Sequence, residues 1–386
     1  MKIKIEYLSL YCITLVILLF CASVQYRWAL SITPAIFLTA YILCKRFIIP
    51  RGVIFFLGIN FIWVAYSTIN YHNIISLELH FKAVFEMYLW ILSFYILFHR
   101  VDRNHKCLFE FLILLSKSFS ILSLIQLILF LVFNSREHVF SGFFDNRNDY
   151  AVLASFFLAI QVFLIKKKNA SNYVFELIII MLILSTLSTK GVICIAIIYF
   201  FYFKNNFNFL SKITLIPLFF IVFFFVLSSN ESMRDRITDK IDSLGYISNV
   251  SIDNVGNDSG KIRILLYISA IQHVEKSPYF GVGINNAQFY MPVPKTWINI
   301  TTLNTQNNYC EMALNAGIPG LIIYYTPFLL MIIFFLKRRD IIANLCITII
   351  VMKLFNDFGM KSYNEAVQLF PVMFTYYIYS NRIEYM

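Results

Sequence analysis

A run of amide side chains and one acid precedes an apolar stretch late in the chain. The segment TQNNYCEMALNAGIPG holds Gln306, Asn307 and Asn308 in succession, and Glu311 lies three residues further on. Amides both donate and accept hydrogen bonds, so three in a row suit a ligand rich in hydroxyl groups, and Glu311 is a candidate general base beside them. The plain structural alternative is a polar loop that leads into a helix.

Three single cations stand in other polar segments that border apolar runs. Arg147 lies in SGFFDNRNDYA, beside the candidate substrate contact Asn148; Lys190 lies in STLSTKG, and Arg263 is the third residue of KIRILLYISAI. Cations that converge suit an anionic head group such as a diphosphate, which a guanidinium can hold through two parallel hydrogen bonds. The alternative for each is an interfacial side chain whose charged end reaches the membrane surface.

The segment FGVGINN adds two glycines to the candidate site. Gly281 and Gly283 allow a close backbone approach or a positive φ, and amides follow them. We predict that they contact substrate, and a plain turn is the alternative. The general base is left open between Glu311, Asp149 and His273.

These segments belong to a chain with the composition of a membrane protein. Of its 386 residues, 59% are hydrophobic and only 14% are charged, and the mean hydropathy is +0.72. That leaves too little polar surface to cover a soluble globule of this length. The net charge of +11 comes from short basic clusters between apolar runs, which indicates membrane orientation rather than nucleic-acid binding. The seven cysteines occur singly without a CxxC pair, so neither a disulfide framework nor a metal cluster is indicated.

The predicted fold class is an all-α polytopic membrane protein with about twelve, or ten to twelve, transmembrane helices. A span needs about 20 mostly apolar residues, and fewer suffice with interfacial anchors. The qualifying stretches are 7–24, 28–44, 52–68, 83–98, 108–133, 150–165, 174–188, 191–203, 213–228, 317–336, 341–356 and 364–379. The first is interpreted as an uncleaved span. The stretches 174–188 and 191–203 could instead form one re-entrant pair.

Basic residues predict the orientation of these spans. With the N-terminus inside, seventeen basic residues fall in inner segments and six in short outer loops, as the positive-inside rule requires. Both termini are therefore predicted to be cytoplasmic. The chain divides into a transmembrane bundle at 1–228, one long external loop at 229–314 and C-terminal spans at 315–386.

The long external loop has a helical pattern of its own. We predict an amphipathic helix of about four turns that begins at Asp258 or Ser259 and ends before Pro278. Its apolar stripe is predicted at three isoleucines spaced along one face, Ile264, Ile268 and Ile271.

The predicted cytoplasmic face lacks the motifs of nucleotide and metal chemistry. It carries no phosphate-cradling glycine loop, no HExxH and no DxD-type acidic pair. An enzyme with this topology would act on the outer side, where nucleotide sugars and ATP are not supplied. No cofactor and no metal are predicted.

The motifs together resemble the O-antigen polymerase and ligase family of bacterial surface-polysaccharide assembly. The similarity covers GFFDNRNDYA, LSTLSTKG, KIRILLYISAI before SPYFGVG, and QNNYCEMALNAGIPG, together with the overall layout of spans and long loop. The resemblance implies a GT-C-like, metal-independent glycosyl transfer that uses polyprenyl-diphosphate-linked glycans. It also implies a bacterial inner (cytoplasmic) membrane, membrane lipids as partners, and a flippase and a chain-length regulator as possible partner proteins.

Two positions depart from the family pattern. Gln306 stands where the family's ligases have a histidine implied as general base, and an amide has no usable basic site. Lys190 stands where an arginine is usual, so the charge is kept without the planar fork. The first departure favours a polymerase over a ligase.

We therefore predict a polymerase that joins lipid-linked oligosaccharide repeat units on the outer face, with Arg263, Arg147 and Lys190 stabilising the departing diphosphate. One alternative is the ligase that moves a finished chain to lipid A core. A third hypothesis is a transporter or flippase. The chain shows no internal repeat, and its long loop at 229–314 is unusual for that class.

Overall fold

The computed structural model describes Thr14 and residues 51–69, 74–102, 106–133, 140–142, 144, 146–165, 170–206, 259–293, 303–338, 340–363 and 365–382. Within these residues the chain is helical and contains no strand. The predicted spans 7–24, 28–44 and 213–228 lie outside the described residues.

Ten α-helices make up the described part of the chain. They are α1 (Arg51–Thr68), α2 (Leu77–Val101), α3 (Lys106–Phe133), α4 (Arg147–Leu164), α5 (Ala170–Ser185), α6 (Thr189–Asn206), α7 (Ser259–Lys276), α8 (Asn308–Leu336), α9 (Ile341–Asp357) and α10 (Ala366–Asn381). A short 3₁₀ helix covers Ala287–Phe289. A helix therefore covers most of each predicted span that falls within the described residues.

Three of the described helices are long and apolar enough to cross a membrane. They are Leu77–Val101, Cys107–Phe133 and Asn308–Leu336, and Ile54–Thr68 and Asn172–Ser185 are shorter apolar helices. These helices support a helical membrane protein. The number of spans and their orientation stay predictions.

Polar residues at the start of several apolar runs cap the helices that follow. Asn146 accepts a hydrogen bond from the backbone N–H of Asn148 at the start of α4. Asp340 accepts one from Ala343 at the start of α9. Such side-chain acceptors satisfy backbone donors that have no partner inside the helix, so these residues determine where the helices begin.

The centre of the bundle is α4. Every residue from Tyr150 to Leu164 is buried. The helix packs against α3, α5, α6, α9 and α10. Gly191 of α6 lies so close to α4 that an added Cβ would meet the Cβ of Ala151 at 2.9 Å. The small residues at this contact allow the two helices to approach each other closely.

One end of the bundle gathers helix ends that the predicted topology puts outside. Hydrogen bonds link the start of α4 to the start of α6, and the end of α9 to the start of α8. Tyr66 near the end of α1 donates to the carbonyl of Tyr279 beyond α7. We call this the polar end. At the opposite end, Tyr377 of α10 donates to Asp102 at 2.8 Å.

A break in α8 separates its polar first turns from its apolar body. Ala316 and Gly317 have non-helical dihedral angles, with φ of 70° at Gly317. The break frees the carbonyls of Leu314 and Asn315, and these accept hydrogen bonds from the backbone N–H groups of residues 282 and 283, both at 2.8 Å. The FGVG segment therefore supplies the donors that α8 itself does not.

The predicted amphipathic helix in the long loop is confirmed as α7, but its buried face is different from the predicted one. Ile264 is buried, whereas Ile271 is 53% exposed. The face that packs against the loop core consists of Ile262, Leu265, Leu266 and Ala270. The predicted stripe was wrong because spacing alone does not tell which of two overlapping apolar faces meets the neighbouring segments.

Gly281 offers a test of the packing between the FGVG segment and α8. A Cβ at this position would lie 2.4 Å from the carbonyl oxygen of Leu314, and its φ is +67°. We expect Gly281→Ala to destabilise the fold by about 2 to 4 kcal/mol. The measurement is the apparent unfolding temperature of the purified protein in detergent.

The matched control is Gly58, an exposed glycine inside α1 where an added Cβ would meet nothing within 4 Å. Alanine there should be neutral or slightly stabilising, because it favours a helix more than glycine does. Equal unfolding temperatures for the two variants would contradict the packing role of Gly281.

Candidate functional site

The first two cation-bearing motifs meet where α4 and α6 begin. Ser188, which precedes α6, donates from its hydroxyl to the side-chain oxygen of Asn148 at 2.8 Å. Arg147 is the first residue of α4 and Lys190 the second of α6, so the cations stand on two adjacent helix starts. Both side chains are partly buried and both interact with other groups of the protein.

A single loop receives contacts from Lys190 and from α7. We call residues 358–363, between α9 and α10, the junction loop. The ammonium of Lys190 donates to the carbonyl of Gly359, a residue 169 positions away in sequence. The hydroxyl of Tyr267 lies 3.0 Å from the carbonyl oxygen of Phe358 and 3.4 Å from that of Gln306. The junction loop thus joins three of the predicted motifs.

Tyr267 is the donor that fastens α7 to this loop. Burial raises the pKa of its phenol, and the positive charge of Arg263 one turn earlier partly offsets the effect. The hydroxyl therefore keeps its proton at neutral pH and can donate to the two carbonyls.

Of the three candidate cations, Arg263 has the fewest contacts with other groups of the protein. Its side chain is partly exposed, and it makes no hydrogen bond or ion pair within the part of the chain that the structure describes. It stands one helical turn before Tyr267, on the helix that the junction loop holds. A guanidinium with this exposure keeps its five donors available to a ligand.

The amide strip adopts an unusual backbone at its centre. Gln306 has a φ of 58°, the left-handed region that residues with a Cβ seldom occupy. Its side chain is partly exposed and makes no hydrogen bond to a described residue. Asn307 caps α8 and accepts from the backbone N–H of Tyr309 at 2.9 Å and from that of Cys310 at 3.2 Å.

Asn308 points into the protein and joins a buried ionic network. Its amide donates to the hydroxyl of Tyr325 at 3.0 Å and accepts from the backbone N–H of Ser362 at 3.1 Å. Tyr325 in turn donates to Asp357 at 2.8 Å, and Lys353 lies 2.5 Å from the same carboxylate. Charges this deeply buried require partners, and here they fix the end of α9 and the junction loop to α8.

Of the three predicted amides, only Gln306 is partly exposed and makes no side-chain hydrogen bond to a described residue. The substrate contacts of Asn307 and Asn308 stay predictions. The contacts described above give both residues a structural role, and Asn308 has no exposed surface.

The predicted glycines lie against the protein itself. Gly281 faces the backbone of residues 314–316, and Gly283 faces Ile74 and His80. Contacts within the protein account for the close approach at both glycines. Their contact with substrate stays a prediction. Asn286 also anchors the turn that follows these glycines, because its side-chain oxygen accepts from the backbone N–H of Ser76 at 2.8 Å.

His80 is an anchor of this turn that the sequence analysis missed. Its Nδ1 accepts from the backbone N–H of Ile284 at 2.9 Å, and its Nε2 lies 3.1 Å from the hydroxyl of Thr68. A ring nitrogen that accepts carries no proton, so the imidazole is neutral with its hydrogen on Nε2. No motif surrounds His80 in sequence, and a lone histidine in an apolar helix gave no signal of this role.

The three candidate bases occupy different places. Glu311 is fully buried within one turn of the helix start; its Oε2 accepts from the hydroxyl of Thr305 at 3.0 Å, and its Oε1 has no hydrogen-bond partner among the described residues. His273 lies ten residues beyond Arg263 on α7, or about 15 Å along the helix axis. Asp149 lies in the first turn of α4 and interacts with other groups. The geometry puts Glu311 nearest the amide strip without assigning the base.

Among the described residues, no group of three or more His, Cys, Asp or Glu side chains could hold a metal ion. The polar side chains at this end include amides, hydroxyls and cations as well as the carboxylates of Asp149, Glu311 and Asp357.

The fold and the site together define the class of protein. It is a helical membrane protein with amides and cations gathered at one end of its bundle. Residues 172–325 match the model of a family described as O-antigen ligase. The matched range includes Lys190, Arg263 and the amide strip, so the resemblance predicted from the motifs is confirmed there. No match to a curated protein was found.

The match indicates activity of the O-antigen ligase or polymerase type and supports an enzyme. It does not distinguish the two activities. It ends inside α8, and α9 and the junction loop lie beyond it.

Proposed function

We propose that the protein is a polymerase of the bacterial inner membrane that joins polyprenyl-diphosphate-linked oligosaccharide repeat units on the periplasmic face. The observation that carries the proposal is the convergence of α6, α7 and the amide strip on the junction loop, through Lys190, Tyr267 and Asn308. Cationic and amide groups with these neighbours suit a ligand that is part diphosphate and part sugar.

The proposed reaction is a displacement at the anomeric carbon of the growing chain. A sugar hydroxyl of one lipid-linked unit forms the new glycosidic bond, and the bond from that carbon to the diphosphate breaks with inversion. The electron pair leaves with the polyprenyl diphosphate, and the hydroxyl proton passes to a base that is not assigned. Arg263, Arg147 and Lys190 stabilise the charge that develops on the leaving group, and a GT-C-like site needs no metal for this step.

Gln306 supports a polymerase over a ligase. Its exposed amide can hydrogen-bond a sugar hydroxyl but cannot take its proton. Asn148, which follows Arg147 in the first turn of α4, is the second amide proposed to contact the glycan. The ligase that transfers glycan to lipid A core is the second candidate, favoured by the description of the matching family.

The phenotype of a deletion strain separates the two activities. Loss of a polymerase should leave lipopolysaccharide capped with a single repeat unit, because ligation still proceeds. The readout is the ladder of lipopolysaccharide on a gel, with the plasmid-borne gene restored as control. Bare core together with glycan retained on the carrier lipid would contradict the polymerase and indicate the ligase.

A further inference from the structure

Lys361 of the junction loop connects three segments of the polar end. Its ammonium lies 2.5 Å from the side-chain oxygen of Asn285 and 3.5 Å from that of Asn304. It also stands 5.1 Å from the centroid of the Tyr363 ring. These partners come from the turn after α7, the strip before α8 and the junction loop itself. The side chain is partly exposed.

The charge of Lys361 is not balanced by an acid. Its hydrogen-bond partners are neutral amide oxygens, and no carboxylate pairs with it in the described ranges. Lys353 is different, because its ammonium is neutralised by the buried carboxylate of Asp357. An ammonium held by amides beside an aromatic ring keeps its attraction for a further anion.

The two amides orient the ammonium of Lys361 without neutralising its charge. Because the oxygens of Asn285 and Asn304 face the ammonium, their NH₂ groups point away from it. Asn285 adopts a φ of 61°, a conformation that asparagine tolerates better than most residues. An ammonium donates three hydrogen bonds, and Asn285 and Asn304 accept two of them, so one donor and the positive charge remain for a ligand that only accepts, such as a carboxylate or a phosphate.

We propose that Lys361, Asn285 and Asn304 form an oxyanion-binding subsite for the glycan-lipid substrate. Lys361 stands two residues beyond Gly359, the partner of Lys190, so the subsite adjoins one of the three proposed catalytic cations. The bound group is a carboxylate of an acidic sugar or a phosphate of the carrier lipid. The nature of the substrate rests on the proposed function, whereas the anion site itself does not.

Asn285→Asp tests the subsite without removing its contact. The aspartate has almost the same shape, and it gives Lys361 an internal counter-ion that competes with an external anion. The full-length protein in lipid nanodiscs is probed by ligand-observed NMR with inorganic pyrophosphate and, separately, with glucuronate. We expect binding of at least one probe to weaken about tenfold or more, while the apparent unfolding temperature stays at or above that of the wild type.

The two probes distinguish the sources of the anion. A loss confined to pyrophosphate assigns the carrier phosphate, and a loss confined to glucuronate assigns an acidic sugar. Lys361→Met, which keeps the apolar stem, should weaken the same probe. Gln272→Glu makes the same change of charge on the exposed face of α7 and should leave both affinities unchanged.

The subsite is overturned if both probes bind Asn285→Asp and Lys361→Met as tightly as the wild type, or if neither probe binds the wild type. Lys361 would then be only a structural link between loops. These binding results do not depend on the deletion phenotype, so failure of the polymerase proposal would be recognised separately.

Discussion

Replacing Arg263 with alanine is expected to lower polymer formation by roughly thirty- to a thousand-fold. The reason is the loss of a charge-assisted pair with the leaving diphosphate, worth about 2 to 4 kcal/mol in the transition state. The guanidinium is partly exposed and makes no hydrogen bond to the described residues, so its removal should leave the fold intact. The measurement is the length distribution of surface polysaccharide at matched levels of membrane protein.

Two further variants make this result specific. Arg263→Lys should recover only part of the activity, because lysine keeps the charge without the two parallel hydrogen bonds. Lys276→Ala is the control, since Lys276 is an exposed base at the far end of the same helix, about 20 Å away along its axis. Normal polymer from Arg263→Ala would reduce this arginine to an interfacial anchor and remove the basis of the site.

Breaking the buried pair of Lys353 and Asp357 is expected to have the largest effect on stability. Asp357→Ala leaves the Lys353 ammonium buried without a counter-ion, and such a loss costs about 3 to 5 kcal/mol. Tyr325 and Ser362 also lose the carboxylate that accepts their hydroxyl hydrogens. We expect a clear fall in the apparent unfolding temperature in detergent and a smaller yield of folded protein.

The double variant Lys353→Met with Asp357→Leu is the matched control. Exchanging both charges for apolar side chains of similar size removes the desolvation cost together with the attraction, so much of the lost stability should return. If Asp357→Ala unfolds at the wild-type temperature, the network does not hold the end of α9. If the double variant is less stable than the single one, each ion contributes independently of the other.

The class of the fold could be read from the sequence. Membrane-spanning character depends on the hydropathy of about twenty consecutive residues, and that is a local sum. The helix starts at α4 and α9 are local too, because Asn146 and Asp340 cap backbone groups only two or three residues away. The type of each side chain is also a local property, so the sequence was enough to predict the cations and amides as candidate site residues.

Only the tertiary structure decided which of those candidates face one another. Lys190 and Gly359 are separated by 169 residues, and Tyr267 and Phe358 by 91. Residue spacing carries no information about such pairs, because they depend on how the helices pack. Asp357, the acid that stabilises the junction loop, belongs to none of the motifs identified in the sequence.

The amide strip shows most clearly which properties depend on the sequence alone and which depend on the tertiary structure. The order Gln306, Asn307, Asn308 indicated one polar surface, yet the chain leaves Gln306 partly exposed, uses Asn307 as a helix cap and buries Asn308. A left-handed residue and a helix start turn three neighbouring side chains in three directions. Amide chemistry was determined by the sequence alone, whereas the direction of each amide was decided by backbone dihedral angles and by partners from distant segments.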